Sequence, residues 1–368
     1  MVRSDISGIA SLMKMHALEK ETIHKVLIRG VNWIGDTVIT LPAIRGIRNV
    51  FPGAHLEILL KPHLAALFKQ CTFLDSCLLY PEGRGYDLIR KEQKLVATIR
   101  EKQFDLAVIL PRSLRSALIP YLARIPFRVG FQSSHRGLLL THGLKETHEL
   151  LQAHQVEYYF HIARALGTKE PWDLPELPVG REDDGWARAF MQQAGIADNH
   201  LVIGINAGST YGSAKCWQPD KFAELARRLT RDPAITIILI GGTNNASLVD
   251  DLALHLDGRA IKAVGHDLLN LAALLKRCHL VITNDTGPMH IAAAVGTPVV
   301  ALFGSTNPAT TGPLGEEHHI VRKDVQCSPC LKRSCPENHD CMAFITVDEV
   351  ERVVQEHLAR YRASNKSA

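Results

Sequence analysis

His279 to Gly304 reads HLVITNDTGPMHIAAAVGTPVVALFG, and its parsing decides the fold. LVIT is a short β-branched run of the kind that forms a strand buried on both faces. IAAAVG is a run of small residues, and Pro288 just before it suits a first helical turn, where no N–H is missed. PVVALFG is apolar and β-branched again. The stretch is therefore strand, helix, strand. At the first handover, NDTGPMH crowds a carboxylate, a hydroxyl, a glycine and an imidazole into one turn.

The same grammar extends in both directions. Upstream lie LVIGINA (201–207) and ITIILIGG (235–242), and further back KVLIRG (25–30), HLEILL, SCLLY and DLAVIL. Helical patterns near 36–49, 64–69, 88–102 and 114–123 separate the earlier strands. Strands alternating with helices imply a parallel sheet covered on both faces. The proline-spaced segment TKEPWDLPELPVGREDD (168–184) interrupts the alternation as a linker does. The expected fold is α/β with two Rossmann-like domains, at 25–180 and 181–346. A polar extension at 1–24 precedes them, and a helix at 347–368 is expected to pack back across the boundary. Ligands of open parallel sheets bind beyond the carboxyl ends of the strands, so a crevice between the halves is the expected site.

Composition agrees with this organisation. The 368 residues suffice for two domains with their own cores, and 46% hydrophobic with 22% charged residues is a globular balance. A net charge of +4 is too small for a protein living on nucleic-acid phosphates, so no nucleic-acid partner is expected; anionic small molecules and anionic lipid surfaces stay open. No apolar run approaches the roughly 18 to 20 residues of a membrane span. Asp5, Lys14, His16 and Glu19 break up the first twenty residues, which argues against a cleaved signal peptide. Cys71, Cys77, Cys216 and Cys278 lie scattered in apolar segments, as reduced thiols do, so the expected compartment is the cytoplasm.

In each half, the residues just after a strand are rich in glycine and short polar side chains, which is what phosphate recognition at a helix N-terminus needs. The first such loop, RGVNWIGDTVITLP (29–42), holds Asn32, Trp33 and Asp36; Asp36 stands where a carboxylate caps free N–H groups, and a cap alone is the other reading. In the second half, NAGSTYGSAKCWQP (206–219) carries Gly208, Ser209 and one lysine, Lys215, suited to neutralise a phosphate or simply to be solvated. NDTGPMH places Thr286, Gly287, Met289 and His290 around the start of a helix. FGSTNP (303–308), beginning with Gly304 after its phenylalanine, is a further small polar cluster able to reach the same anion. Asp285 is the odd member, because a carboxylate repels a diphosphate. It fits sugar hydroxyls better, or closes a tight turn with Asn284.

Together, GDTVITLP, AKCWQP and NDTGPMHIAAAVGTPVVALFG resemble glycosyltransferase family 9, the bacterial lipopolysaccharide heptosyltransferases. The resemblance runs from Lys25 to the C-terminal helix. It implies the GT-B architecture, with two Rossmann-like domains facing across a cleft, acceptor on the first and nucleotide sugar on the second. It also implies an inverting transfer of heptose from ADP-L-glycero-β-D-manno-heptose to the first heptose of the inner core, without a catalytic metal. Other members of the family add the first or a branching heptose instead. By the same resemblance Asp36 is the general base, Lys215, Thr286, Gly287 and His290 hold the leaving diphosphate, and Asp285 holds the donor sugar. The glycines 208, 241, 242 and 304 (Gly208, Gly241, Gly242, Gly304) join the donor site. Where the family often has an acidic ribose contact after the paired glycines, this chain reads GGTNNASLVDD, with Asn244 or Asn245 in its place.

The acceptor side is expected at LPRSLRSALIP (110–120), where Arg112, Ser113 and Arg115 follow the strand DLAVIL. Arginines there suit the acidic groups of an inner-core oligosaccharide, or form an ordinary solvated helix start. A lipid acceptor implies peripheral contact with the cytoplasmic face of the inner membrane. Cys327, Cys330, Cys335 and Cys341 have the spacing C-x2-C-x4-C-x5-C, compatible with a structural zinc, a disulfide or a cluster of free thiols. Two other classes were weighed. A nucleotide-dependent dehydrogenase predicts G-x-G-x-x-G after a strand, which neither half shows. A non-catalytic nucleotide-sugar sensor would be built around the cysteine cluster.

Overall fold

In the computed structural model, which describes residues 19–256 and 258–366, the chain divides into two units at Pro175/Glu176. The division falls inside the proline-spaced segment, slightly before the expected 180/181. Residues 1–18 of the polar extension lie outside the described residues.

The first unit holds one sheet of six parallel strands: β1 (Lys25–Arg29), β2 (His55–Leu60), β3 (Ser76–Leu79), β4 (Leu106–Ile109), β5 (Phe127–Phe131) and β6 (His142–Leu144). Their order across the sheet is β3-β2-β1-β4-β5-β6. The chain thus starts in the middle, builds one flank, then jumps to β4 and builds the other. The second unit repeats this with β7 (Leu201–Asn206), β8 (Ile235–Gly241), β9 (Ala260–Val264), β10 (Leu280–Asn284), β11 (Val299–Phe303) and β12 (His319–Arg322), in the order β12-β11-β10-β7-β8-β9. Each sheet therefore has one point where the strand order reverses, between β1 and β4 and between β7 and β10. Loops leaving the carboxyl ends of the two strands at such a point diverge and open a crevice.

The strands follow from their sequences. All residues of β7, β10 and β11 are buried, as near-continuous apolar runs must be when helices cover both faces. Helix Pro219–Leu229 begins with a proline at its first turn and turns Phe222, Ala223, Leu225, Ala226 and Leu229 inward. The C-terminal helix, Val347–Lys366, belongs to the second unit, where Val350, Val354 and Leu358 join the core formed by Trp217, Phe222 and Leu302.

Candidate active site

The switch points collect the singled-out residues of the β1, β4, β7 and β10 loops, whereas Gly241, Gly242, Asn244 and Asn245 lie at the end of β8, Gly304 after β11 and the four cysteines after β12. In the first unit, the β1 loop carries Asn32 and Trp33 into helix Ile34–Ile39, and the β4 loop carries Arg112 and Ser113 into helix Leu114–Leu122. Parallel pairing of β1 with β4, up to Arg29↔Ile109, places these two loops side by side. Asp36 sits half-buried in the first turn of its helix, where the positive end of the helix dipole favours a carboxylate. The backbone of Trp33 caps that helix without a side-chain bond, so Asp36 is not the cap itself. The Tyr159 phenol is pushed far up, by burial first and then by the charge of Asp36. Trp33 remains 46% exposed.

Beneath this loop lies a buried cation that sequence reading passed over. Arg29 donates to the carbonyl oxygens of Gly30 and Leu59 and, at 3.3 Å, to Asn32 Oδ1, so it fixes the loop from below. Its guanidinium lies 4.8 Å from the centre of the Tyr80 ring, and burial pushes its pKa down to about 10. On the β4 side, Ser113 caps helix Leu114–Leu122 by accepting from the Ser116 N–H. Arg112 pairs with Glu146 at 2.9 Å and Arg115 with Glu92 at 2.7 Å, and both arginine side chains stay more than half exposed. Each keeps open donor surface while its carboxylate partner holds it in place.

In the second unit, register pairs Thr283 with Asn206 at the carboxyl ends of β10 and β7. The Asn206 amide donates to Thr283 Oγ1 and to Thr286 Oγ1, both at 2.9 Å. Asn284, fully buried, donates to the Ala207 carbonyl at 2.7 Å and accepts from the Trp217 N–H at 3.0 Å. These amides lock the loop after β7 to the turn after β10. The turn then opens helix Gly287–Ala294, whose N-cap Thr286 makes no side-chain cap bond, and Thr286 and Gly287 are half-buried at the helix start. Pro288 has no N–H and the Met289 N–H donates to the Thr286 carbonyl at 3.1 Å, which leaves the Gly287 N–H without a partner inside the helix.

Asp285 is resolved by its partners. Its Oδ2 lies 2.5 Å from Lys215 Nζ and accepts from Thr306 Oγ1 at 2.7 Å, with both side chains of the ion pair largely buried. The carboxylate neutralises the ammonium and holds it beside the turn after β10. The Lys215 ammonium also stands 4.8 Å from the centre of the Tyr211 ring. Neither Thr306 nor Tyr211 carried a role in the sequence reading; FGSTNP was the signal for the first.

Several expected contacts need revision. Met289 is fully buried, so its side chain serves the core and offers a ligand nothing. Gly304 is buried, and a Cβ there would stand 2.5 Å from Met342 Sδ; close packing explains this glycine better than donor contact. Gly241 is likewise crowded by Val249, whereas Gly242 is exposed with open space. Gly208 admits the Asn245 amide, which would stand 2.5 Å from a Cβ, while Asn244 is exposed. Asn245 is therefore the residue that borders the loop after β7. The Ser209 hydroxyl is buried without a hydrogen-bond partner. His290 is buried one turn into its helix.

Cys327, Cys330, Cys335 and Cys341 are free thiols lining one cavity of about 410 Å³, together with Ser305 and His339. The Cys341 thiol is pushed up by burial and then by its three neighbours. Among the described residues no three His, Cys, Asp or Glu side chains are grouped so as to hold a metal ion. No disulfide joins the four thiols.

Comparison with known proteins places these loops in context. The model of glycosyltransferase family 9 (heptosyltransferase) matches residues 93–340. The chain is 30% identical over 310 residues to lipopolysaccharide heptosyltransferase 2 of Escherichia coli K12, covering 81% of this chain and 88% of that one. It is 30% identical over 347 residues to lipooligosaccharide heptosyltransferase 2 of Haemophilus ducreyi, covering 90% and 98%. Its fold matches the solved structure of E. coli ADP-heptose lipopolysaccharide heptosyltransferase II with a TM-score of 0.78 at 24% identity, over 92% of this chain and 99% of that chain.

Proposed function

The chain belongs to glycosyltransferase family 9, and we propose that it moves heptose from ADP-L-glycero-β-D-manno-heptose to the first heptose of the lipopolysaccharide inner core. The observation that carries this reading is the cluster Lys215, Asp285 and Thr306 beside the open N-terminus of helix Gly287–Ala294, at the switch point of the second sheet. An ammonium held by a buried carboxylate, next to the Gly287 N–H at the positive end of a helix, suits a diphosphate. The names of the relatives, heptosyltransferase 2 and ADP-heptose heptosyltransferase II, supply the sugar and the nucleotide.

Chemistry divides between the units. Departure of ADP builds negative charge on the β-phosphate, and Lys215, the Thr286 hydroxyl and the amides at Gly287 meet it with fixed donors. That supply of positive charge serves in place of a catalytic metal. Asp285 Oδ2 is engaged by Lys215 and Thr306, which leaves Oδ1 as the oxygen we assign to the sugar hydroxyls. His290 supports the helix start from within. Asn245 and the exposed Asn244 border the nucleotide in place of an acidic ribose contact. Asp36 takes the proton of the acceptor hydroxyl as the new bond forms, with Trp33 and Asn32 against the acceptor sugar and Arg112, Ser113 and Arg115 toward its acidic groups. Single displacement inverts the anomeric centre.

No described helix is long and apolar enough to cross a membrane. A lipid acceptor nonetheless requires a peripheral encounter with the cytoplasmic face of the inner membrane, which co-sedimentation with acceptor-loaded vesicles tests. For the four thiols, metal analysis of the purified protein decides whether zinc draws them to one point. The central test is direct: incubate the protein with ADP-heptose and a mono-heptosylated acceptor and weigh the product. A mass gain of one heptose supports the reading, and an unchanged acceptor refutes it.

A further inference from the structure

We infer that Arg333, carried by the cysteine-rich loop, is a second diphosphate-binding cation of the donor site; this rests on the diphosphate reading of Lys215. The ring of Tyr211 is flanked by two cations. Lys215 Nζ lies 4.8 Å from its centre and the Arg333 guanidinium carbon 5.2 Å. Asp285 neutralises the lysine, whereas Arg333 is exposed and brings a charge that an anion at this ring would balance.

The loop is stitched to the phosphate-facing segments through its backbone. The Arg333 carbonyl accepts from the Ala214 N–H at 3.0 Å, one residue before Lys215. It comes so close to Gly212 that a Cβ there would stand 2.2 Å from the oxygen. On the other side, the Leu331 N–H donates to the Ser305 carbonyl at 2.7 Å, and Ser328 Oγ donates to the Gly304 carbonyl at 2.6 Å. The Tyr211 hydroxyl closes the arrangement by donating to the Leu331 carbonyl at 3.0 Å. Leu331 holds a left-handed backbone, φ 57°, a strained state that persists where its surroundings over-determine it. The arrangement thus fixes Arg333 against the lysine loop without using its side chain.

A second, independent sign of a ligand comes from Ser209, two residues before Tyr211 in the loop that also carries Lys215, whose buried hydroxyl has no hydrogen-bond partner. Buried hydroxyls without partners are costly, and a phosphate oxygen is an acceptor of the right kind.

Calorimetric titration of the full-length protein with ADP, AMP and adenosine tests the assignment. Arg333→Ala keeps the backbone carbonyl that anchors the loop, so its melting temperature should match wild type. ADP affinity should fall about 10- to 100-fold, the worth of a charge-assisted hydrogen bond, while adenosine binding stays unchanged. Arg333→Lys should recover part of the loss, and Lys332→Ala, which removes the neighbouring cation, should leave ADP affinity at the wild-type value. Wild-type ADP affinity in Arg333→Ala would overturn the inference alone. A wild-type protein that binds no ADP would overturn the donor reading and the inference with it. An equal loss of ADP and adenosine binding would also overturn it, because that marks a collapsed loop rather than a lost cation.

Discussion

Lys215 and Asp285, seventy positions apart in the chain, meet at 2.5 Å with side-chain exposures of 13% and 4%. A buried pair of this kind contributes little net stability, yet removing one member strands the other in a poorly solvated place. Its value here lies in holding an ammonium beside a helix N-terminus.

Lys215→Ala should therefore cost about 3 to 5 kcal/mol of stability, read by chemical denaturation, because the Asp285 carboxylate loses its counter-charge. Adding Asp285→Asn should restore much of that stability and none of the donor affinity. Recovery of both would show that the pair is structural only.

Gly212→Ala should lower the melting temperature and weaken ADP binding together. A methyl at this position meets the Arg333 carbonyl at 2.2 Å, a backbone atom that yields only if the loop shifts. Gly242→Ala, at an exposed position with open space around it, serves as the control and should leave stability near wild type.

The sequence makes the fold legible because each buried strand is announced by its own residues. LVIGIN, LVITN and VVALF need no partner to be recognised. The positions of Asp36, Lys215 and Thr286 were legible for a related reason: each lies in the segment that follows a strand, and in the second sheet the reversal of strand order sets the β7 and β10 loops, with Lys215 and Thr286, side by side. Pairings were not legible. Nothing local in NDTGPMH says that Asp285 will find Lys215; adjacency of β7 and β10 brings them together. Nor does the local sequence say that Arg112 and Arg115 will find Glu146 and Glu92, since those pairs depend on how the β6 loop and two helices pack. That the Met289 side chain turns into the core was not legible either, because its place at a helix start does not say which way it points. The cysteine spacing left a zinc site, a disulfide and free thiols open, since spacing does not specify where thiols point.

Arg112→Ala should raise KM for the acceptor several-fold and leave ADP affinity unchanged, since it sits at the switch point of the first sheet. Steady-state kinetics with both substrates varied separates the two. A change confined to the donor would place Arg112 on the wrong substrate.

Acid stability should depend on Glu349. Its carboxyl is held below the ordinary value of 4.5 chiefly by its bond with Lys323, and then by the Thr346 backbone N–H. A carboxyl depressed in the folded state stabilises above its unfolded pKa, and that contribution is lost as pH falls through the folded value. Glu349→Gln should thus be less stable than wild type at pH 7, and the difference should shrink below about pH 4.5. Parallel stability curves for the two proteins down to acid pH would contradict this.

The most direct test of the division of labour is the single-turnover rate of heptose transfer by Asp36→Asn, with donor and acceptor both saturating. Loss of a general base predicts a fall of about 10²- to 10⁴-fold with ADP affinity unchanged. Transfer at the wild-type rate would contradict the account.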